Sequence, residues 1–395
     1  MPGFPPDATR YGGVMEQVTI VGAGIAGLTA AIILAREGYA VTVLEQENAI
    51  GGASLHASDV SEQELCFADM TPLDLDAMSR YLGFPLSPQE GSQPVPFYNP
   101  LPCLRLRAFG NIIELPLPSN VHMKMVERGH RPSSIDTYLF RLATDCGVRF
   151  SFSTPVRTRK DFHDLPPGSI VATGMFREAF DALDIPYTQA YGLFAGGPAP
   201  EGRSPFCVAY YHEHTRDYAY YATANGTGAA VLFQRGKPLS AAAMEWFPKQ
   251  LLEDEGLEFP HWHTIENLVG TPTGSFSNPR LHCGNLVLAG TLSGMQDPSM
   301  VLGVHGALVS GRIAAMAVHD RERATEEFRR MNRWWKLGYL TRRMLWATHP
   351  WGPRMVIPGV LWLLPHVDQR FLWLLNPAVP GWMRLPKVDR NSLPH

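Results

Sequence analysis

The sequence predicts an α/β protein in which a Rossmann-like nucleotide-binding domain is interleaved with an antiparallel β-sheet domain and followed by a helical, aromatic-rich C-terminal region. Three observations support this prediction. The stretch from Val18 to Glu45 has the order strand, glycine turn, helix and strand. Residues 186–236 are rich in Tyr, Val and Phe with short turns, which favours antiparallel strands. Seven of the nine tryptophans lie in residues 334–395, so this end carries a different kind of surface.

The glycines of the first stretch have separate roles in the predicted nucleotide site. A β-branched run, Val18–Val21, leads directly into G-x-G-x-x-G. Gly22 permits the tight turn, Gly24 lets the backbone approach a pyrophosphate, and Gly27 allows close packing of helix on strand. The free N–H groups of the helix N-terminus face the anion. Glu45 ends the second strand, where a carboxylate accepts hydrogen bonds from a ribose.

Length and composition limit the class of protein. A chain of 395 residues has core for two or three domains. A formal charge of −3 and a pI of about 6.5 suggest neither nucleic acid nor a broadly basic membrane face as the partner. The five cysteines are scattered without a C-x-x-C pair, which favours a reducing cytoplasm over a zinc site or disulfide framework. The start of the chain is Pro-rich and lacks the apolar core of a signal peptide.

The order of elements also predicts domain boundaries. A buried strand, NLVLAG (285–290), returns late in the chain, and an amphipathic stretch at 303–318 follows it. We expect both to rejoin the first sheet and give a second wall for one ligand. The expected division is a disordered lead-in at 1–15, a nucleotide-binding domain at 16–84, 130–180 and 275–320, a substrate domain at 85–129 and 181–274, and a C-terminal helical region at 321–395.

Together these elements resemble the FAD-dependent oxidoreductases of the geranylgeranyl reductase type, which have a glutathione-reductase-type FAD fold and are related to the aromatic hydroxylases. The late motif of that family, G-D-A-A-G-x-x-D-P-x-x-G-x-G, is matched here by GTLSGMQDPSMVLG, from Gly290 to Gly303. Two positions depart from it. Thr291 replaces the Asp that bonds the ribityl chain, and Val301 replaces the first Gly of the closing pair.

The resemblance implies FAD as the cofactor and no metal. The glycine turn then binds the ADP pyrophosphate, Glu45 holds the adenosine ribose, and the A-T-G element at 172–174 passes close to the FAD. The cofactor-binding residues that it implies are Gly22, Ala23, Gly24, Ile25, Ala26, Gly27, Glu45, Gln46, Gly51, Gly52, Ala53, Ser54, Val156, Ala172, Thr173, Gly174, Gly290, Thr291, Pro298, Gly303 and Val304.

The helix that begins near Gly303 supplies the candidate catalytic residue. Its N-terminal dipole faces the flavin pyrimidine and favours the reduced anion. His305, in the first turn, would steer protons or charge there; alternatively it only bonds a neighbour. A helix N-terminus lowers the pKa of a histidine, which suits a neutral donor.

Aromatic and histidine residues of the sheet domain are further candidates. Strand alternation places Tyr218 and Tyr220 on one face, which either lines a substrate pocket above the flavin or packs as ordinary sheet core. His212 and His214 have a metal-like spacing, but without a third ligand they indicate solvated side chains.

The reaction that we expect is reduction, or in the reverse sense desaturation, of a carbon–carbon bond in an apolar, isoprenoid or polyketide-like substrate by hydride exchange with flavin N5. Two rivals stay open: a flavin monooxygenase that hydroxylates or epoxidises such a substrate, and a flavin-binding protein without turnover. Because the chain has no second G-x-G-x-x-G, the expected electron donor is a transiently bound NAD(P)H or a redox protein such as a ferredoxin.

The C-terminal stretch from Trp334 to Trp382 has three interpretations. Its apolar pieces are too short to span a bilayer and are interrupted by Pro358 and Pro365. Tryptophan and arginine together favour a membrane interface. The same residues would also suit the roof of a tunnel for a long apolar substrate, or a cap that buries its tryptophans on the core. The expected location is cytoplasmic, with peripheral membrane contact as the open alternative.

Overall fold

The fold is described from a computed structural model of the protein over residues 16–51, 67–86, 96–117, 122–265, 269–271, 279–298, 301–333 and 335–363. In chain order the strands are β1 (Gln17–Val21), β2 (Ala40–Leu44), β3 (Phe67–Pro72), β4 (Tyr98–Pro100), β5 (Cys103–Ala108), β6 (Asn111–Pro116), β7 (Met123–Arg128), β8 (Arg149–Ser151), β9 (Ile170–Val171), β10 (Thr188–Pro198), β11 (Phe206–Tyr211), β12 (Tyr218–Ala224), β13 (Thr227–Arg235), β14 (His263–Ile265), β15 (Val269–Thr271), β16 (His282–Cys283) and β17 (Leu286–Leu288). The helices are α1 (Ile25–Arg36), α2 (Leu75–Leu82), α3 (Ile135–Asp145), α4 (Arg159–His163), α5 (Arg177–Ala182), α6 (Ala241–Glu255), α7 (Val304–His319), α8 (Arg321–Met331), α9 (Trp335–Ala347) and α10 (Trp351–Leu363).

The first sheet is mostly parallel and carries the nucleotide-binding turn. Its strand order within the described residues is β16-β17-β9-β1-β2-β8, and only the β16–β17 pair is antiparallel. Val21 pairs with both Leu44 and Val171, so the carboxyl ends of the central strands meet at one edge. The late strand β17 pairs with β9, which returns the chain to the edge where a ligand site is expected in such sheets.

The second sheet is mainly antiparallel and faces that edge. Its order is β14-β10-β13-β12-β11-β5-β6, with β15 also paired to β10. The β11–β5 pair is parallel. A small third sheet, β3-β7-β4, packs against β12 and β13. The predicted fold class, a Rossmann-like domain interleaved with an antiparallel sheet, is confirmed.

Helix α1 lies in the centre of the core. Leu28, Ile32 and Leu34 are fully buried, so the helix is apolar around its circumference, as a helix enclosed on several sides must be. Helices α3 and α7 pack on it. Gly311 of α7 permits the crossing, since a Cβ there would lie 2.5 Å from the carbonyl oxygen of Ala26.

The C-terminal region is helical but differs from one sequence-based expectation. Helix α8 ends at Met331 and α9 starts at Trp335. The cap interpretation is wrong for two of the tryptophans, because Trp351 is 74% exposed and Trp362 66% exposed. Within the described ranges, no helix combines the length and the apolarity that crossing a membrane requires.

Candidate active site

A cavity of about 400 Å³ lies where the carboxyl edge of the parallel sheet meets the antiparallel sheet. One wall comes from the glycine turn after β1, the end of β9, the turn after β17 and the first turn of α7. The opposite wall comes from β5 and β11–β13. One cavity therefore joins the nucleotide turn to the face of the second sheet.

The glycine turn has the geometry that its sequence predicts. Gly22 has φ +102°, and a Cβ there would lie 2.5 Å from the carbonyl oxygen of Ala172. A Cβ on Gly27 would lie 2.0 Å from the carbonyl oxygen of Gly22, so only glycine allows this contact between helix and turn. A Cβ on Gly24 would meet nothing within 4 Å. That position opens on the cavity and leaves the backbone accessible.

The start of α1 presents N–H groups to the cavity. Its N-cap residue, Gly24, provides no side-chain hydrogen bond to the first turn, and Ile25 and Ala26 line the cavity. Backbone N–H groups that lack a capping side chain, together with the helix dipole, make a site for an anion. This arrangement fits the pyrophosphate of a dinucleotide.

Glu45 is fixed beside this turn. Its Oε2 accepts a hydrogen bond of 2.7 Å from the N–H of Ala23, and its Oε1 accepts one of 3.0 Å from the N–H of Glu47. Burial raises the pKa of the carboxyl, against the effect of these backbone bonds. A carboxylate has further lone pairs, and Glu45 lines the cavity, so its position fits the predicted role of holding a ribose.

Most of the predicted cofactor residues come together around the cavity. Those that line it are Gly22, Ala23, Gly24, Ile25, Ala26, Glu45, Gln46, Gly51, Val156, Ala172, Thr173, Gly174, Gly290, Thr291, Gly303 and Val304. Gly27 acts by packing behind the turn. Pro298 does not line the cavity; its carbonyl oxygen instead accepts a 3.0 Å hydrogen bond from Arg235. Gly52, Ala53 and Ser54 lie outside the described residues.

The late motif departs from its relatives at a strained position. Val301 has φ +62°, a left-handed conformation that a β-branched residue rarely adopts. Its backbone is held on both sides: its N–H donates to the carbonyl oxygen of Asp297 at 3.0 Å, and its carbonyl accepts from Gln296 at 3.0 Å. Both Val301 and Thr291 line the cavity. The loop therefore holds a β-branched residue in a conformation that favours glycine.

His305 lies in the first turn of α7 as predicted, but it is 4% exposed and is not among the residues that line the cavity. Burial lowers its pKa to about 4, so the imidazole is neutral at physiological pH. Contact with a cofactor is instead open to Gly303, Val304 and Ala307 of the same helix start. A catalytic role for His305 stays a prediction.

An ion pair in the cavity wall was missed by sequence reasoning. Asp69 and Arg128 both line the cavity, with Arg128 Nη1 donating to Asp69 Oδ2 at 3.4 Å. Arg128 also bonds the buried Asp136 through Nε at 2.9 Å. Burial raises the pKa of Asp69, while Arg128 opposes that rise. The three residues lie in three separate elements, β3, β7 and α3, so no local sequence pattern signals their contact.

The aromatic face of β12 lines the same cavity. Tyr218 and Tyr220 share this face as strand alternation predicts, with ring centroids 6.1 Å apart. Burial raises the pKa of both phenols well above 10. His212, by contrast, stacks on Trp246 at 4.5 Å, and the described part of the chain brings no group of three or more metal-ligating side chains together.

Comparisons with known proteins agree with this geometry. Residues 17–86 match the family described as FAD dependent oxidoreductase. A geranylgeranyl bacteriochlorophyll reductase-like protein from Thermoplasma acidophilum has a similar structure, with a TM-score of 0.60 at 12% identity over 94% of this chain and 98% of that chain. The structure of the flavin-dependent brominase Bmp2 is similar with a TM-score of 0.55 at 14% identity, over 89% of this chain and 93% of that chain. The structure of CtdE in complex with FAD is similar with a TM-score of 0.53 at 13% identity, over 90% of this chain and 100% of that chain.

At these identities the similar structures show the fold alone. No protein of curated function matches the chain significantly. The family match covers the glycine turn and Glu45, and the open position at Gly24 fits a bound pyrophosphate. Residues 17–86 therefore form a domain of the FAD dependent oxidoreductase type, and the cofactor of this site is FAD.

Proposed function

We propose that this oxidoreductase reduces, or in the reverse sense desaturates, a carbon–carbon bond of an apolar substrate of the isoprenoid or polyketide type. The observation that carries the proposal is the composition of the wall opposite the glycine turn. Its side chains from β5, β11 and β13 are apolar: Leu104, Leu106, Ala209, Val231 and Phe233. An apolar wall in continuity with a cofactor site binds a hydrocarbon chain by removing it from water.

FAD supplies hydride exchange when it is bound. The chain itself must then provide a proton for the second carbon of a reduced double bond. Tyr220 has its phenol in the cavity wall, and its raised pKa keeps the proton on the oxygen. We assign Tyr220 as the proton donor, with Tyr218 beside it.

The remaining residues of the site stabilise negative charge and hold the substrate. The first turn of α7 directs its N–H groups at the cavity through Gly303 and Val304, where negative charge is stabilised. The Asp69–Arg128 pair gives the wall one polar anchor for a substrate head group. The electron donor that we propose is a transiently bound NAD(P)H or a redox protein, since the sequence has a single G-x-G-x-x-G.

Product mass tests this proposal. The full-length protein, purified with FAD and reduced with dithionite in the absence of oxygen, is incubated with geranylgeraniol, a polyunsaturated isoprenoid alcohol. We expect a product that is heavier by two hydrogen atoms. A product that gains oxygen, formed only in air with NADPH, would replace the reductase with a monooxygenase. Reoxidation of the flavin without any altered product, across isoprenoid and polyketide-like probes, would favour a flavin-binding protein without turnover.

A further inference from the structure

We propose that α9 and α10 form a docking surface for an anionic lipid membrane. Through this surface the cavity would receive a substrate that is dissolved in the bilayer; this second part rests on the proposed function. The surface, named here the C-terminal hairpin, comprises Trp335–Ala347 and Trp351–Leu363. Its two helices pack on each other.

The outer side of the hairpin is apolar and exposed. In α9, Leu337, Leu340 and Met344 follow a spacing of three and four residues, which places them on one helix face. In α10 the exposed side chains cover a wider stripe. The exposed apolar residues of the two helices are Leu337 at 44%, Leu340 at 41%, Met344 at 65%, Trp351 at 74%, Met355 at 77%, Val356 at 47%, Val360 at 38%, Trp362 at 66% and Leu363 at 50%. Nine exposed apolar side chains on two packed helices mark an interaction site.

The charge of the hairpin selects a lipid partner. From Phe328 to Leu363 the sequence contains no Asp or Glu, whereas the whole chain has a formal charge of −3. Cationic side chains accompany the apolar stripe. Lys336 and Arg343 are exposed on α9, and Arg354 is exposed on α10, where it lies 3.8 Å from the carboxylate of Glu213. Exposed Trp and Met beside Lys and Arg, on two helices that contain no acidic residue, is the composition that binds the interface of an anionic bilayer. A second copy of the chain would bring like charges together on this surface, which disfavours it as the occupant.

The inner side of the hairpin holds it rigidly beside the cavity. Trp335 is buried at the start of α9, and Arg342 bonds the buried Asp217. In α10, Pro353 is buried and Ile357 packs on the apolar cluster that contains Leu104 and Leu106. Those two leucines line the cavity. The membrane-facing helix and the apolar wall of the cavity are therefore one layer apart.

The length of the helices sets how the hairpin meets the membrane. Each helix has 13 residues, which corresponds to about 20 Å of axis against a hydrocarbon core of about 30 Å. A helix of this length with a cationic flank lies in the plane of the interface. The outer stripe would then be buried among the acyl chains while the rest of the protein stays in water.

Vesicle binding of the full-length, FAD-loaded protein tests the proposal. The probes are sedimented vesicles of phosphatidylcholine alone and of an equal mixture of phosphatidylcholine and phosphatidylglycerol. We expect binding to the mixed vesicles that falls with added salt. The double variant Met355→Glu with Trp362→Glu should bind at least about tenfold more weakly, whereas Leu252→Glu, which alters an exposed leucine of α6, should bind as the parent does.

The charge contribution is tested separately. Lys336→Gln with Arg343→Gln should weaken binding to mixed vesicles several-fold, while the exposed Lys249→Gln on α6 leaves it unchanged. Equal binding to both vesicle types, or no effect of the hairpin variants, would overturn the proposal. So would conversion of a dimer into a monomer by Met355→Glu with Trp362→Glu in sedimentation, because the surface would then be an interface between copies.

Failure of the docking surface and failure of the proposed function give different results. Turnover of detergent-dispersed geranylgeraniol without vesicles should be the same in the hairpin variants and the parent. Turnover without vesicle binding overturns the docking surface alone. Vesicle binding without any reduced product overturns the proposed reaction and the uptake of substrate through this surface, but it leaves the docking surface itself supported.

Discussion

Arg342 of α9 donates a 2.5 Å hydrogen bond from Nη2 to the buried Oδ1 of Asp217, just before β12. The same carboxylate accepts bonds from Arg235 at 2.7 and 3.1 Å. Burial opposes ionisation of Asp217, but the two guanidinium groups outweigh it and lower the pKa of the carboxyl. A contact between residues 125 positions apart thus attaches the C-terminal helices to the wall of the active site.

Asp217→Asn should lower the free energy of unfolding by about 3–5 kcal/mol, because it removes the buried carboxylate charge that the guanidinium groups of Arg235 and Arg342 share. Urea unfolding followed by circular dichroism measures this. The control is Asp181→Asn, which removes an exposed partner of Arg177 and should have little effect. An Asp217 variant as stable as the Asp181 variant would contradict the assignment.

Substitution by alanine should weaken FAD binding at Gly24 and lower stability at Gly27. Gly24→Ala has room for its Cβ and a φ of −81°, so the apoprotein should keep its Tm. Its methyl group occupies the phosphate approach and should raise the Kd for FAD at least about tenfold. Gly27→Ala places a Cβ against the carbonyl of Gly22 and should cost about 3 kcal/mol or more in stability.

Thermal unfolding of the apoproteins and FAD titration by fluorescence quenching separate the two effects. Gly38→Ala, at a site with open space but φ +92°, is the control for strain away from the cofactor. Equal losses of stability in Gly24→Ala and Gly27→Ala would show that the turn is built differently.

Val301→Gly should stabilise the protein by about 1 kcal/mol. Relief of a left-handed β-branched residue is worth about 1–3 kcal/mol, and the added freedom of the unfolded glycine returns about 1 kcal/mol of that. Val156→Gly changes a second cavity-lining valine whose φ is not positive, and it should destabilise. Urea unfolding measures both variants. A Val301→Gly protein that is less stable than the parent would show that the backbone at Val301 is not strained.

His305 should make the fold sensitive to acid. Its folded pKa of about 4 lies below the ordinary 6.5, so the unfolded chain binds the proton more tightly. Its contribution is complete above pH 6.5 and is lost as the pH falls towards 4, by up to about 3 kcal/mol. His305→Gln should flatten the dependence of unfolding free energy on pH in this window. His163→Gln, at an exposed site, should show the same pH dependence as the parent. If the unfolding free energy of all three proteins depends on pH in the same way, His305 does not cause the sensitivity to acid.

Tyr220→Phe should slow reduction of the carbon–carbon bond by about a hundredfold, the usual worth of a positioned acid, with FAD content unchanged. In the parent, the raised pKa of Tyr220 keeps the phenol protonated up to at least pH 10, so no loss of rate from its ionisation is expected below that pH. Tyr221→Phe alters the next residue, whose ring packs on the other face beside Phe259, and should turn over normally. Equal rates for the two variants would remove Tyr220 as the donor.

Local sequence patterns were enough for the parts of the site that depend on local geometry. The roles of Gly22, Gly24 and Gly27 follow from a turn of six residues, and Glu45 is placed by the strand β2 that ends just before it. The shared face of Tyr218 and Tyr220 follows from a period of two along a strand. Each of these is a short-range steric rule, so it can be predicted before any packing is known.

The rest depends on which segments meet, and that is decided by packing. Asp69 and Arg128 are 59 positions apart and become one ion pair only because β3 and β7 are neighbours. His305 has the predicted position in α7, yet it is buried and does not line the cavity. The sequence by itself determined the nucleotide turn and the fold class, because these rest on local backbone constraints and on the pattern of strands and helices, whereas FAD followed from the resemblance to a known family. Only the tertiary structure decided which side chains form the substrate wall and which face of the C-terminal helices is exposed, because burial is a property of the packed chain.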